Sequence, residues 1–80
     1  MIMKVKVYST PTCPYCFALK KYLEEKGIEF EDIDVALNEQ ARKEMIEKSG
    51  QMGVPVVDID GEIVVGFDRE KINQLLKITE

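Results

Sequence analysis

The residues best suited to covalent chemistry are Cys13 and Cys16, the only two cysteines among 80 residues, three positions apart in Cys13-Pro14-Tyr15-Cys16. A dithiol at this spacing can trade two thiols for a disulfide, with a thiolate as the attacking species. A structural staple is a poor alternative, because a bridge across so short a loop removes little chain entropy. Zinc is poorly served as well. The chain has no histidine, so a tetrahedral site would lack its usual nitrogen and sulfur ligands. The same absence excludes a Cys-His nucleophile and base pair, so the ionisation of these thiols must be tuned without an imidazolium.

The flanking sequence puts the pair at a strand-to-helix junction, where such a pair reads as redox-active. Met3-Lys4-Val5-Lys6-Val7-Tyr8 alternates and predicts a strand over residues 3–9. Ser9 to Thr12 is a polar turn. Pro14 suits a first helical residue, whose N–H is not needed. Tyr15, Ala18, Leu19, Tyr22 and Leu23 recur at helical spacing, which predicts a helix from Pro14 to about Lys26, stopped by Gly27. At such a helix start the free N–H groups of Tyr15 and Cys16 can point back at the Cys13 sulfur, and the helix dipole favours an anion there. Cys16 lies one turn further in and should be shielded. Cys13 is therefore expected to attack and Cys16 to resolve the mixed disulfide. Pro14 stiffens the turn between them, and Tyr15 either stacks over the rim or caps the helix surface.

The rest of the chain supplies the frame. Ile28 to Val35 alternates with one slip of phase near Asp32 and predicts a strand with one wet face. Strand-helix-strand suggests a parallel crossover. Asn38 is a candidate N-cap for a second helix with a thin stripe of Ala41, Met45 and Ile46, closed by Ser49-Gly50. Val54 to Asp60 and Glu62 to Gly66 read as strands joined at Asp60-Gly61, a two-residue hairpin signal. Their apolar runs suggest cover on both faces, with Val64 and Val65 in the core. Asp68 can cap a last helix carrying Ile72, Leu75 and Leu76. The order is βαβαββα: an α/β fold with a four-stranded mixed sheet, helices one and three on one face and helix two on the other. Residues 1–80 read as a single domain.

Composition narrows the partners. Hydrophobic residues make up 45% and charged residues 32%, and the net charge is −4. No basic cluster suggests nucleic acid, and no window suggests a membrane span or a signal peptide, so a cytoplasmic location is expected.

Tyr8-Ser9-Thr10-Pro11-Thr12-Cys13-Pro14-Tyr15-Cys16, Gly53-Val54-Pro55 and Val65-Gly66-Phe67-Asp68 together resemble the dithiol glutaredoxin branch of the thioredoxin superfamily, over essentially the whole chain. The resemblance implies a thioredoxin-like fold and a glutathione-dependent disulfide oxidoreductase, with glutathione as co-substrate and no metal. It implies a cis bond at Val54-Pro55, with Val54 and Pro55 presenting backbone to the substrate. It also implies that Gly66, Phe67 and Asp68 hold the γ-glutamyl end of glutathione. Expected partners are glutathione, disulfide-bearing proteins and a flavoprotein reductase, reached directly or through glutathione. Two positions depart from the pattern. Thr10 stands where many members have lysine, and Val65-Gly66 replaces a glycine pair. Both departures suit the smaller glutaredoxin-like proteins that donate electrons to ribonucleotide reductase and are recharged by thioredoxin reductase. A third reading is a dimer sharing a [2Fe–2S] cluster through Cys13 and glutathione.

Overall fold

The computed structural model describes residues 4–78. The elements run β1 (Val5–Ser9), α1 (Pro14–Glu25), β2 (Glu31–Asp34), α2 (Glu39–Ser49), β3 (Val56–Ile59), β4 (Glu62–Val65) and α3 (Arg69–Leu76). The expected βαβαββα order holds. Met3, placed in the first strand by the sequence pattern, lies outside the described residues.

The sheet order is β2-β1-β3-β4. β1 and β2 are parallel, with Lys6 opposite Glu31 and Ser9 opposite Asp34. β3 runs antiparallel to both β1 and β4. Side chains alternate across each strand, so the sheet has two cores. On one face Val5, Val7, Val57, Ile59 and Val64 meet Leu19 and Leu23 of α1 and Ile72 of α3. On the other, Tyr8, Val56 and Val35 meet Ala41 and Met45 of α2. The helices are distributed over the two faces as the pattern of apolar residues predicts.

Local signals set most of the boundaries. Asn38 caps α2, accepting from the Ala41 N–H at 3.0 Å, and Gly50 ends it with φ +74°. The hairpin turns through Asp60 and Gly61, both at positive φ.

Three expectations need correction. The second strand starts at Glu31, not Ile28. The end of α1 is a Schellman closure, in which Gly27 N–H donates to Glu24 O and Ile28 N–H to Leu23 O at 2.9 Å. Ile28 thus spends its N–H on the helix end, although Ile28 and Phe30 still pack on the α1/α3 core. The fourth strand is an edge strand covered mainly on one face. Val64 is fully buried, whereas Val65, pointing to the α2 side, is 46% exposed. Ala18, counted in the helical stripe, is exposed.

One feature of the α2 face was not foreseen. Asp58 on β3 is a buried carboxylate, paired with Lys48 of α2 at 2.7 Å. Lys48 also donates to the Tyr8 hydroxyl at 3.0 Å and pairs with Glu44 at 3.0 Å. The Tyr8 hydroxyl in turn donates to Glu44 at 2.6 Å. These contacts fasten α2 to β1 and β3 and so fix where the loop after α2 begins.

Candidate functional site

Cys13 is the N-cap of α1, with extended backbone, and Pro14 follows at the first helical position. The Cys16 N–H donates to Cys13 Sγ at 3.1 Å, the bond a thiolate at that position would use. The donor is Cys16; Tyr15, the other candidate, makes no such bond to the sulfur. The loop before the helix is held by the Cys13 N–H on Thr10 O at 3.4 Å. Cys13 is half-buried and Cys16 fully buried, and neither is in a disulfide. Burial chiefly, then the hydrogen bond with Cys13, pushes the Cys16 thiol up to about 11. At neutral pH Cys16 is therefore a thiol.

The loop after α2 faces this helix start. The Val54-Pro55 bond is cis, and Val54 O lies 3.9 Å from Cys13 Sγ. The Val54 N–H has no partner among the described residues. Pro55 is buried and joined to the next segment, since its carbonyl accepts from Gly66 N–H at 2.8 Å. Gly66 has φ +77°, a conformation that a side chain would strain.

The last predicted segment is divided in use. The Gly66 N–H is spent on Pro55, so it is not a free donor. Phe67 turns its ring into the α1/α3 core, 5.7 Å from that of Tyr22. Asp68 is exposed and caps α3, accepting from Lys71 N–H at 3.2 Å. Of the three residues, Asp68 presents the most accessible polar group.

The structure brings Cys13, Cys16, Val54 and Pro55 together. Tyr15 stands out from the helix, 71% exposed, with Phe17 exposed beside it. An open groove of about 550 Å³ adjoins Cys13 on the α2 side, lined by Thr10, Leu37, Glu39, Arg42, Met52 and Val54. Arg42 makes no side-chain hydrogen bond or ion pair among the described residues. The sequence reading missed it. The only signal was a lone arginine in the first turn of α2, and its place on the groove that Thr10 and Val54 border depends on how α2 packs.

A sheet of this order, with a dithiol at the start of the first helix opposite a cis-proline loop, is a thioredoxin-like arrangement. The glutaredoxin family model matches residues 5–64. A glutaredoxin-like protein of 8.6 kDa from the rubredoxin operon of Clostridium pasteurianum is 49% identical over 91% of this chain and 97% of its own length. Among solved structures, a thioredoxin-like protein superposes with TM-score 0.90 at 38% identity, covering 95% of this chain and 97% of its own. NrdH-redoxin of Escherichia coli, a glutaredoxin-like protein with a thioredoxin-like activity profile, superposes with TM-score 0.79 at 30% identity, covering 90% and 93%. The chain belongs to the glutaredoxin family of thiol oxidoreductases.

Proposed function

We propose that the protein reduces protein disulfides and glutathione mixed disulfides, with Cys13 as nucleophile and Cys16 as resolving thiol. The observation that carries this reading is the Cys13 sulfur at the mouth of α1, taking the Cys16 N–H at 3.1 Å and facing Val54 O at 3.9 Å. A substrate disulfide lying along Val54 would find an unpaired backbone N–H there and pair as a short added strand. Its sulfur would then meet Cys13. The Cys16 thiol stays protonated and sheltered until the mixed disulfide forms.

Glutathione fits this surface with one substitution of parts. Thr10 supplies no charge, but Arg42 offers a cation on the same groove for a substrate carboxylate. Replacing Arg42 with Glu is expected to raise KM for a glutathione mixed disulfide roughly three- to tenfold with kcat little changed, because an exposed contact present in ground and transition states alike is lost. An unchanged KM would remove Arg42 from the binding surface.

A second reading is an electron carrier recharged by a flavoprotein thioredoxin reductase, serving an enzyme such as ribonucleotide reductase. The likeness to NrdH-redoxin and the uncharged Thr10 favour it. The deciding experiment compares turnover with glutathione plus glutathione reductase against turnover with thioredoxin reductase. Recharging by the glutathione couple supports the first reading. Turnover with thioredoxin reductase alone rejects glutathione as reductant.

A further inference from the structure

We propose that Tyr22 is a positioning residue for substrate selection: it holds both chain neighbours of Asp68 against α1, and so fixes the Asp68 carboxylate relative to Cys13 for disulfides that carry an ammonium group. This rests on the reading of Asp68 as the group that meets the γ-glutamyl end of a glutathione mixed disulfide.

The contacts converge on one ring. Tyr22 lies on α1 and is 7% exposed. The Phe67 ring packs on it with 5.7 Å between centroids, tilted by 52°. The Arg69 guanidinium lies 4.8 Å over the same ring. The Tyr22 hydroxyl donates to Asn73 Oδ1, one turn further along α3. Phe67 and Arg69 stand directly before and after Asp68. Asp68 itself is exposed, and its Oδ1 accepts the Lys71 N–H at 3.2 Å. Its second oxygen makes no hydrogen bond among the described residues.

The segment has an anchor at each end. Gly66 N–H bonds to Pro55 O at 2.8 Å, and Ile72, one turn into α3, is fully buried in the α1/α3 core. Between them the chain turns from strand into helix, and there Phe67 and Arg69 both lie on Tyr22. Cys13 is the N-cap of the helix that carries this ring. About 13 Å of unbroken α-helix therefore joins the nucleophile to the anchor of Asp68. The Cys16 N–H on the Cys13 sulfur belongs to the first turn of that helix and does not involve Tyr22.

The consequence is selective. A charge-assisted contact between carboxylate and ammonium depends on geometry, and a carboxylate on a loose segment must first be ordered. Loosening the grip of Tyr22 weakens substrates that use Asp68. It leaves untouched those that lack an ammonium, and it leaves the attack by Cys13 unchanged.

The test compares two probes: the mixed disulfide of glutathione with 2-mercaptoethanol, and the same compound acetylated on its amino group. Reduced protein is mixed with each over a range of concentrations, and its oxidation is followed by acid quench. This gives a half-saturating concentration and a limiting rate. The parent should need about fivefold more of the acetylated probe. Tyr22→Leu is expected to raise the half-saturating concentration of the amino probe about threefold, with the limiting rate unchanged and the acetylated probe unaffected. Tyr22→Phe keeps the ring and should stay within about 1.5-fold of the parent. Arg69→Lys, an exposed change that serves should the leucine protein fold poorly, keeps the charge but not the flat guanidinium; a loss of about twofold is expected, again for the amino probe alone. Asp68→Asn keeps a favoured cap and removes the charge, so it should abolish the preference, and in that background Tyr22→Leu should add nothing. Equal weakening towards both probes, a fall in limiting rate alone, or an unmoved amino probe in both Tyr22→Leu and Arg69→Lys overturns the proposal. A parent that does not distinguish the probes, or an Asp68→Asn protein that still does, overturns the underlying reading of Asp68 instead.

Discussion

Replacing Cys13 with serine is expected to lower disulfide exchange by at least about 10³-fold while leaving the fold intact. Serine is itself a favoured N-cap and can accept the Cys16 N–H in place of the sulfur, so the start of α1 keeps its hydrogen bond. What is lost is the accessible sulfur. Cys16 cannot take over, for two physical reasons. It is fully buried, and that burial, the chief cause of its raised pKa, stays in the variant and keeps the thiol mostly protonated at pH 7. The measurement is NADPH-coupled reduction of a small mixed disulfide beside a thermal unfolding curve. Turnover within about tenfold of the parent, in a folded protein, would transfer the nucleophile role elsewhere. The companion change, Cys16→Ser, should behave differently. A mixed disulfide at Cys13 can still be released by a second external thiol, so reduction of glutathione mixed disulfides should survive. Reduction of protein disulfides needs an internal second thiol and should fall sharply. Equal loss of both activities would mean that Cys16 also shapes the nucleophile, which its N–H on the Cys13 sulfur makes a concrete alternative.

The sequence and the structure agree where information is local. Pro14, Gly27, Asn38, Gly50, Asp60-Gly61 and Asp68 each act within a few residues of themselves, and each marks the boundary it announces. The dithiol belongs to this group, because a helix start is enough to distinguish Cys13 from Cys16. Agreement ends where two distant segments must meet. Asp58 sits in an apolar strand and reads as a surface residue until Lys48, ten positions earlier on α2, is seen against it. Lys20 reads as one of two adjacent surface lysines until β2 brings Asp32 to it. Arg42 reads as a helix charge until the packing of α2 puts it on the groove beside Cys13. Val65 reads as core because its neighbour Val64 is core; only the extent of α2 shows that alternate side chains at the strand end have different cover. Pattern reports which face a side chain takes. It does not report what stands opposite.

The pair between Lys48 and Asp58 carries the second large expected effect, on stability. The Asp58 side chain is 12% exposed and that of Lys48 29%. Burial alone would raise the Asp58 carboxyl. The Lys48 hydrogen bond, with that of Gly61 N–H, outweighs this and holds it below its usual value of 3.8. Lys48 is raised above its usual value of 10.5, first by its hydrogen bond to Asp58. The signs then follow from linkage. Asp58 stabilises the fold above about pH 3.8, and this is lost as pH falls through its depressed folded value. Lys48 stabilises it fully below about pH 10.5, and this is lost as pH rises through its raised folded value. The pair therefore acts across the whole neutral range. Lys48→Met removes the partner and leaves Asp58 buried against apolar strands, with Gly61 N–H its remaining named donor. The expected loss is about 2–3 kcal/mol, below the usual figure for a fully buried pair because both side chains keep some water. In a chain of this size that lowers Tm by roughly 10–20 °C. The acid limb gives the sharper reading. With Lys48 gone, burial raises the Asp58 carboxyl, so lowering the pH towards 4 should cost the variant less stability than the parent, or restore some. Asp58→Asn in the same chain should recover part of the loss, a coupling of about 1–3 kcal/mol across the double-mutant cycle. Denaturant curves at neutral and acid pH measure all of these. A Lys48→Met protein within about 0.5 kcal/mol of the parent, with an unchanged acid limb, would show that α2 is held by its apolar stripe of Ala41 and Met45 and owes nothing to the buried charge.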